Sequence, residues 1–205
     1  MNLDLQGKTA LVCGSTQGIG KAAATELSAM GAKVVLLARN EEKLKTVSAA
    51  IGNGCEYLVA DFSKPEEVKA VVTNYVATNP IHILINNTGG PPGGPVADAK
   101  EEEFYSAFTN HLINNHNLVA AVKQSMIDGG YGRIINVIST SVKIPLTGLG
   151  VSNTIRGAVA NWSKTLANEL GVHQITVNNV LPGATETERL TSIISAHILR
   201  LYKPI

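Results

Sequence analysis

The sequence predicts a doubly wound α/β fold, a parallel sheet of about six strands with helices on both faces. Three observations predict it. Short β-branched runs recur along the chain, and each is almost continuously apolar, as a strand covered on both faces must be. The stretches between them are long enough for a helix that returns each strand parallel to the last. The 205 residues are 44% hydrophobic and 16% charged, enough apolar material for one sizeable core.

Taken in order, "KTALVC" (8–13) is the first strand, followed by a helix over 18–31. "AKVVLLA" (32–38) precedes a helix over 41–51, and "CEYLVA" (55–60) precedes one over 65–78. Pro65 after Ser63, with Glu66 and Glu67 behind it, marks that third start: proline costs no hydrogen bond in a first turn, and acids favour the positive helix end. "IHILIN" (81–86) leads to a helix over 101–128, "GRIINVI" (132–138) to one over 150–171, and "QITVNNV" (174–180) is the last strand. The glycine- and proline-rich stretch at 87–104 reads either as an extended loop beside the strand ends or as a plain connector. After Thr187, Leu190, Ile193, Ile194, His197, Ile198 and Leu201 share one helical stripe and predict a closing amphipathic helix. No linker divides the chain, so residues 1–205 are expected to form a single domain.

Charge and composition exclude several classes. A net charge of +1 without a basic run offers no footprint for nucleic acid. No apolar run approaches the roughly 18 residues of a membrane span, and the first residues lack a leader pattern, so a cytoplasmic protein is expected. Cys13 and Cys55 are too few for a disulfide framework and read as reduced thiols. His82, His173 and His197 lack partners at ligand spacing, and no metal is expected.

The chemistry starts at "CGSTQGIGKAAATEL", where Gly14, Gly18 and Gly20 fall between the first strand and the first helix. Missing side chains there let backbone N–H groups approach a pyrophosphate at a helix N-terminus, although an ordinary tight turn has the same spelling. The second strand ends in "LLARNEEKL". An NAD site would place an acid at that end to hold the ribose hydroxyls; Arg39 stands there instead, and a guanidinium suits a 2′-phosphate, so NADP(H) is favoured over NAD(H).

These segments resemble the short-chain dehydrogenase/reductase superfamily, especially its 3-oxoacyl-[acyl-carrier-protein] reductase-like members, from residue 5 to about 190. "CGSTQGIG" resembles TGxxxGxG with Cys13 in place of threonine, "ADFS" the acidic motif, and "NNTG" the NNAG motif with Thr88 as its departure. "VNNVLPGATET" resembles the sixth-strand segment. The resemblance implies a Rossmann-type sheet of order 3-2-1-4-5-6 and cofactor contacts at Gly14, Ser15, Gln17, Gly18, Ile19, Gly20, Arg39, Asp61, Phe62, Asn87, Thr88, Gly89, Arg156, Pro182, Gly183 and Thr187. It further implies a homodimer or homotetramer packed through the helices at 101–128 and 150–171. Family members continue past the sixth strand to a seventh, so a shortened C-terminal region is expected here.

The family's catalytic set is Asn, Ser, Tyr and Lys. Asn110 and Ser139 match the first two, while alignment puts Ser152 where the tyrosine belongs and Arg156 where the lysine belongs. Reduction of a carbonyl needs a proton for the developing alkoxide. A serine hydroxyl is shorter and far less acidic than a phenol, and arginine holds charge without relaying a proton. His111 adjoins Asn110, but neighbouring helical positions diverge by about 100°, so His111 and His116 are expected to pack or face solvent. The expected function is an NADP-dependent oxidoreductase acting on a small carbonyl or alcohol, with an altered catalytic set. The alternatives are a nucleotide-binding partner or regulatory subunit with little turnover, and a fold retained without ligand.

Overall fold

Six of the apolar runs become strands: β1 Thr9–Cys13, β2 Lys33–Ala38, β3 Glu56–Val59, β4 Ile83–Asn86, β5 Gly132–Val137 and β6 Ile175–Val180. The computed structural model describes residues 3–188 together with Leu190, Thr191 and Ile194. All pairings are parallel, in the order β3-β2-β1-β4-β5-β6. The order reverses between β1 and β4, which opens a crevice at the carboxyl ends of those strands.

The helices are α1 Gly18–Ala29, α2 Glu41–Ile51, α3 Pro65–Val76, α4 Glu101–Phe108, α5 Asn114–Asp128 and α6 Gly150–Leu170. Alternation along the strands divides the core between two faces. Leu11, Cys13, Val35 and Leu37 pack with Val68 and Val72 of α3, Leu118 and Met126 of α5, and Leu170 of α6. Ala10, Val12, Val34 and Leu36 point the other way, onto Ala24 of α1 and Leu44 and Val47 of α2. Burial on both sides is why the strands read as unbroken apolar runs. Asn40 caps α2 by accepting a hydrogen bond from the Lys43 amide at 2.9 Å.

The structure departs from the sequence expectation in the long helix over 101–128. Its middle, Thr109–Ile113, is a turn of π-helix between α4 and α5. An extra residue widens that turn and rotates α5 relative to α4, which a simple 3.6 period does not reveal. The glycine- and proline-rich segment is tied down: Gly94 donates to Gly148 O at 2.7 Å and Gly150 donates to Gly94 O at 3.0 Å. That clasp joins the chain after β4 to the start of α6. Of the α6 stripe, Val159 and Leu170 are buried, and Trp162 and Leu166 pack against the same core, so the stripe covers its own sheet. Among the described residues β3 and β6 are the edge strands of the sheet. Of the expected closing helix, Leu190 and Ile194 are described and helical, while Ile193, His197, Ile198 and Leu201 lie outside the described residues. Among the described residues no helix is long and apolar enough to cross a membrane.

Candidate functional site

The loop from β1 to α1 is built on close backbone contact. Gly14 has φ +57°, and a Cβ there would stand 2.8 Å from the carbonyl oxygen of Asn87. A Cβ on Gly20 would overlap the Gly14 carbonyl oxygen. Asn87, just past β4, staples the loop by donating Nδ2 to the carbonyls of Cys13 and Gly14, each at 3.3 Å. Cys13, in the threonine's place, is wholly enclosed, and burial pushes its thiol far up, so it stays protonated.

This loop delivers the head of α1 to the crevice. Gln17 is the N-cap and makes no side-chain cap hydrogen bond, so the first-turn N–H groups are not closed by a side chain. Ser15 is fully buried with no hydrogen-bond partner for its hydroxyl. Ile19 packs partly buried against the α1 side of the core. A side-chain-free cradle, open helix donors and an orphan buried hydroxyl fit a diphosphate group.

The other expected contacts surround that cradle. Arg39 is exposed immediately after β2. Asp61 follows β3; the Ser63 amide, bonding its Oδ1 at 2.9 Å, holds the carboxyl below the usual range, and the charges of Arg39 and Lys64 add smaller shares. The carbonyl of buried Phe62 accepts from Asn114 Nδ2 at 2.6 Å. Thr88 is half-buried and Gly89 exposed beyond β4. After β6, the Pro182 carbonyl accepts from the Thr140 amide at 3.2 Å, whereas Gly183 is exposed with open space at its Cα. Thr187 lies over the glycine loop, its methyl 3.3 Å from where a Gly18 Cβ would be.

One bond ties the helix that carries Ser152 and Arg156 to the strand that precedes Ser139. Arg156 Nη1 donates to Val137 O at 3.0 Å, binding α6 to the end of β5 two residues before Ser139. Ser152 stands one helical turn before Arg156, and both are 9% exposed. Ser139 Oγ accepts from the Ser141 amide at 3.1 Å, which leaves its hydroxyl proton for another acceptor. Asn110 donates to Ser106 Oγ at 3.5 Å, and its Oδ1 is buried without a partner. Asn110 and His111 together line an open cavity of about 260 Å³ with Gly89 and Gly90. His111 is buried, as the packing expectation has it, and the π-turn also sets it on the same cavity wall as Asn110.

Sequence reasoning missed two features. A buried chain runs from Asn86 Nδ2 to Asn136 Oδ1 (2.7 Å), then from Asn136 Nδ2 to Ser163 Oγ (2.9 Å), linking β4, β5 and α6. Asparagines inside apolar strands were its only visible signal. Lys43 reaches Gln17 from α2, a contact between residues 26 positions apart that no spacing encodes. Among the described residues no group of three potential metal ligands occurs.

The short chain dehydrogenase family profile matches residues 8–197. The chain is 36% identical over 199 residues to the 3-oxoacyl-[acyl-carrier-protein] reductase FabG of Haemophilus influenzae, covering 95% of this chain and 82% of the relative. L-sorbose reductase from Gluconobacter frateurii, solved with NADPH and L-sorbose, superposes with a TM-score of 0.90 at 28% identity, covering 99% of this chain and 78% of that one. A gluconate 5-dehydrogenase from Burkholderia cenocepacia, in complex with NADP and tartrate, has a TM-score of 0.87 at 28% identity, covering 94% of this chain and 77% of that one. The cradle, the strand order and these likenesses together place the chain in the short-chain dehydrogenase family of oxidoreductases.

Proposed function

We propose that this protein is an NADPH-dependent oxidoreductase that interconverts a carbonyl and a hydroxyl group with an altered proton-transfer apparatus. The observation that carries the reading is the cradle of Gly14, Gly18 and Gly20 opening onto the sheet ends where Arg156 holds α6 beside Ser139. The nicotinamide supplies hydride chemistry when bound. Around it, the α1 N-terminus and Ser15 bind the diphosphate, and Arg39 faces the 2′-phosphate. Ser139 donates to the substrate oxygen, and the fixed charge of Arg156 stabilises negative charge developing there. Ser152, nearly enclosed, offers a hydroxyl shorter and far less acidic than a phenol. Loss of a positioned acid costs on the order of 10²- to 10⁴-fold in rate, so turnover is slow.

A second reading, a nucleotide-binding partner or regulatory subunit, is favoured by the Arg156–Val137 bond, which commits a guanidinium donor to the fold. One experiment separates the two. NADPH should raise the thermal unfolding midpoint more than NADH at equal concentration. A panel of ketones and 3-oxoacyl thioesters should then show slow NADPH oxidation that rises at least tenfold in the Ser152→Tyr, Arg156→Lys double variant. A folded double variant that binds NADPH without any gain favours the binding subunit.

The reading extends to assembly and location. Tyr105, Phe108 and Ile113 leave apolar surface exposed along α4 and the π-turn, which supports the 101–128 side of the homodimer or homotetramer expected through the helices at 101–128 and 150–171. The free thiols Cys13 and Cys55 suit a reducing, cytoplasmic setting.

A further inference from the structure

Lys43 sits in the first turn of α2, its amide fixed by Asn40 Oδ1 at 2.9 Å, and its ammonium crosses to Gln17 Oε1 at 3.5 Å. Gln17 precedes α1 at the mouth of the glycine loop, and its side chain is not used to cap that helix. The contact is long and its acceptor neutral, so breaking it costs little.

The charges nearby decide what Lys43 is available for. Glu41 and Glu42, its neighbours in the same turn, are both engaged by Lys45, at 3.3 and 2.9 Å. Lys64 pairs with Glu67 at 3.7 Å. Asp61, held ionised chiefly by the Ser63 amide at 2.9 Å, also lies within the field of Arg39, so its carboxylate offsets the cation at the end of β2 that would meet a 2′-phosphate. Asp61 offsets Arg39, and the two acids that share Lys45 offset the charge of Lys43, so Lys43 acts through its place at the mouth of the glycine loop beside Gln17.

We propose that Lys43 is a second cation for the 2′-phosphate, parked on Gln17 until the phosphate displaces it and acting with Arg39 to set the preference for NADPH over NADH. This rests on the dinucleotide reading of the cradle. Three elements converge on the position: the α1 N-cap with Gln17, the end of β2 with Arg39, and the first turn of α2 with Lys43. A charge-assisted contact from an ammonium to a phosphate is stronger than the amide contact it replaces, which gives the exchange its direction.

Calorimetric titration of the full chain with NADPH and with NADH, at one ionic strength, tests it. Lys43→Met keeps the aliphatic stem and removes the charge at an exposed position. NADPH should bind on the order of ten- to a hundredfold more weakly to Lys43→Met, NADH within about twofold of the unaltered chain, and Lys43→Arg should retain most of the NADPH affinity. An unchanged ratio of NADPH to NADH affinities in Lys43→Met, with NADPH still binding, overturns this inference and leaves the dinucleotide reading standing. Failure of the unaltered chain to bind either nucleotide overturns both.

Discussion

Gly20 shows most directly how one residue governs the site. Any side chain there collides with the Gly14 carbonyl and with Asn87, and both are held by the staple that closes the loop. Gly20→Ala should therefore cost on the order of 1–3 kcal/mol of stability from overpacking and abolish the upward thermal shift given by NADPH. A variant as stable as the parent that keeps the shift would show that the backbones do not need to meet. Arg156 is the contrasting case. Its place in the motif was readable, but its bond to Val137 was not, because an arginine at that position could equally have reached toward solvent or ligand. A serine at 152, where the family resemblance expects tyrosine, was plain in the sequence; that Ser152 ends nearly enclosed comes from the packing around α6.

At the scale of elements, the sequence marked strands and helices by period and left their interruptions unmarked. The π-turn at 109–113 is such an interruption, and it decides which side chains face the cavity behind Gly89. The Asn86–Asn136–Ser163 chain is another: it is buried and spans three elements that residue patterns treat separately. The junction of β1 and β4 carries a titratable joint. The Thr9 amide donates to His82 Nδ1 at 3.0 Å, which requires that nitrogen unprotonated. Burial, helped by the Lys8 charge, lowers the His82 pKa below its ordinary 6.5. The unfolded chain then binds a proton that the folded chain resists. This contribution is fully present above about pH 6.5 and is lost as pH falls from there through the folded value. The urea midpoint should fall between about pH 7.5 and pH 5.5, and His82→Gln should reduce that slope. Equal slopes in parent and variant would remove His82 as the cause.

Over the whole molecule, parallel strands and a reversal of order between β1 and β4 bring the glycine loop, the β2 end, Asp61, Asn87 and the head of α6 to the carboxyl end of the sheet. The same fold leaves Tyr105 64% and Phe108 39% exposed on α4. An assembly through this face predicts that sedimentation gives a dimer or tetramer, and that Tyr105→Glu weakens it by placing a charge in an apolar contact. A parent chain that sediments as a monomer at micromolar concentration would refute the interface. The sequence by itself determined the fold class, the parallel strands and the glycine cradle, because these arise from local periods and from where side chains are absent. It also carried Ser152 and Arg156 at the two positions where the family resemblance expects tyrosine and lysine, since a motif is contiguous. Only the tertiary structure decided that His111 shares a wall with Asn110, that Arg156 anchors to Val137, and that Lys43 meets Gln17. Each of those depends on how separate elements are rotated and set against one another, and packing sets that rotation where residue spacing carries no record of it.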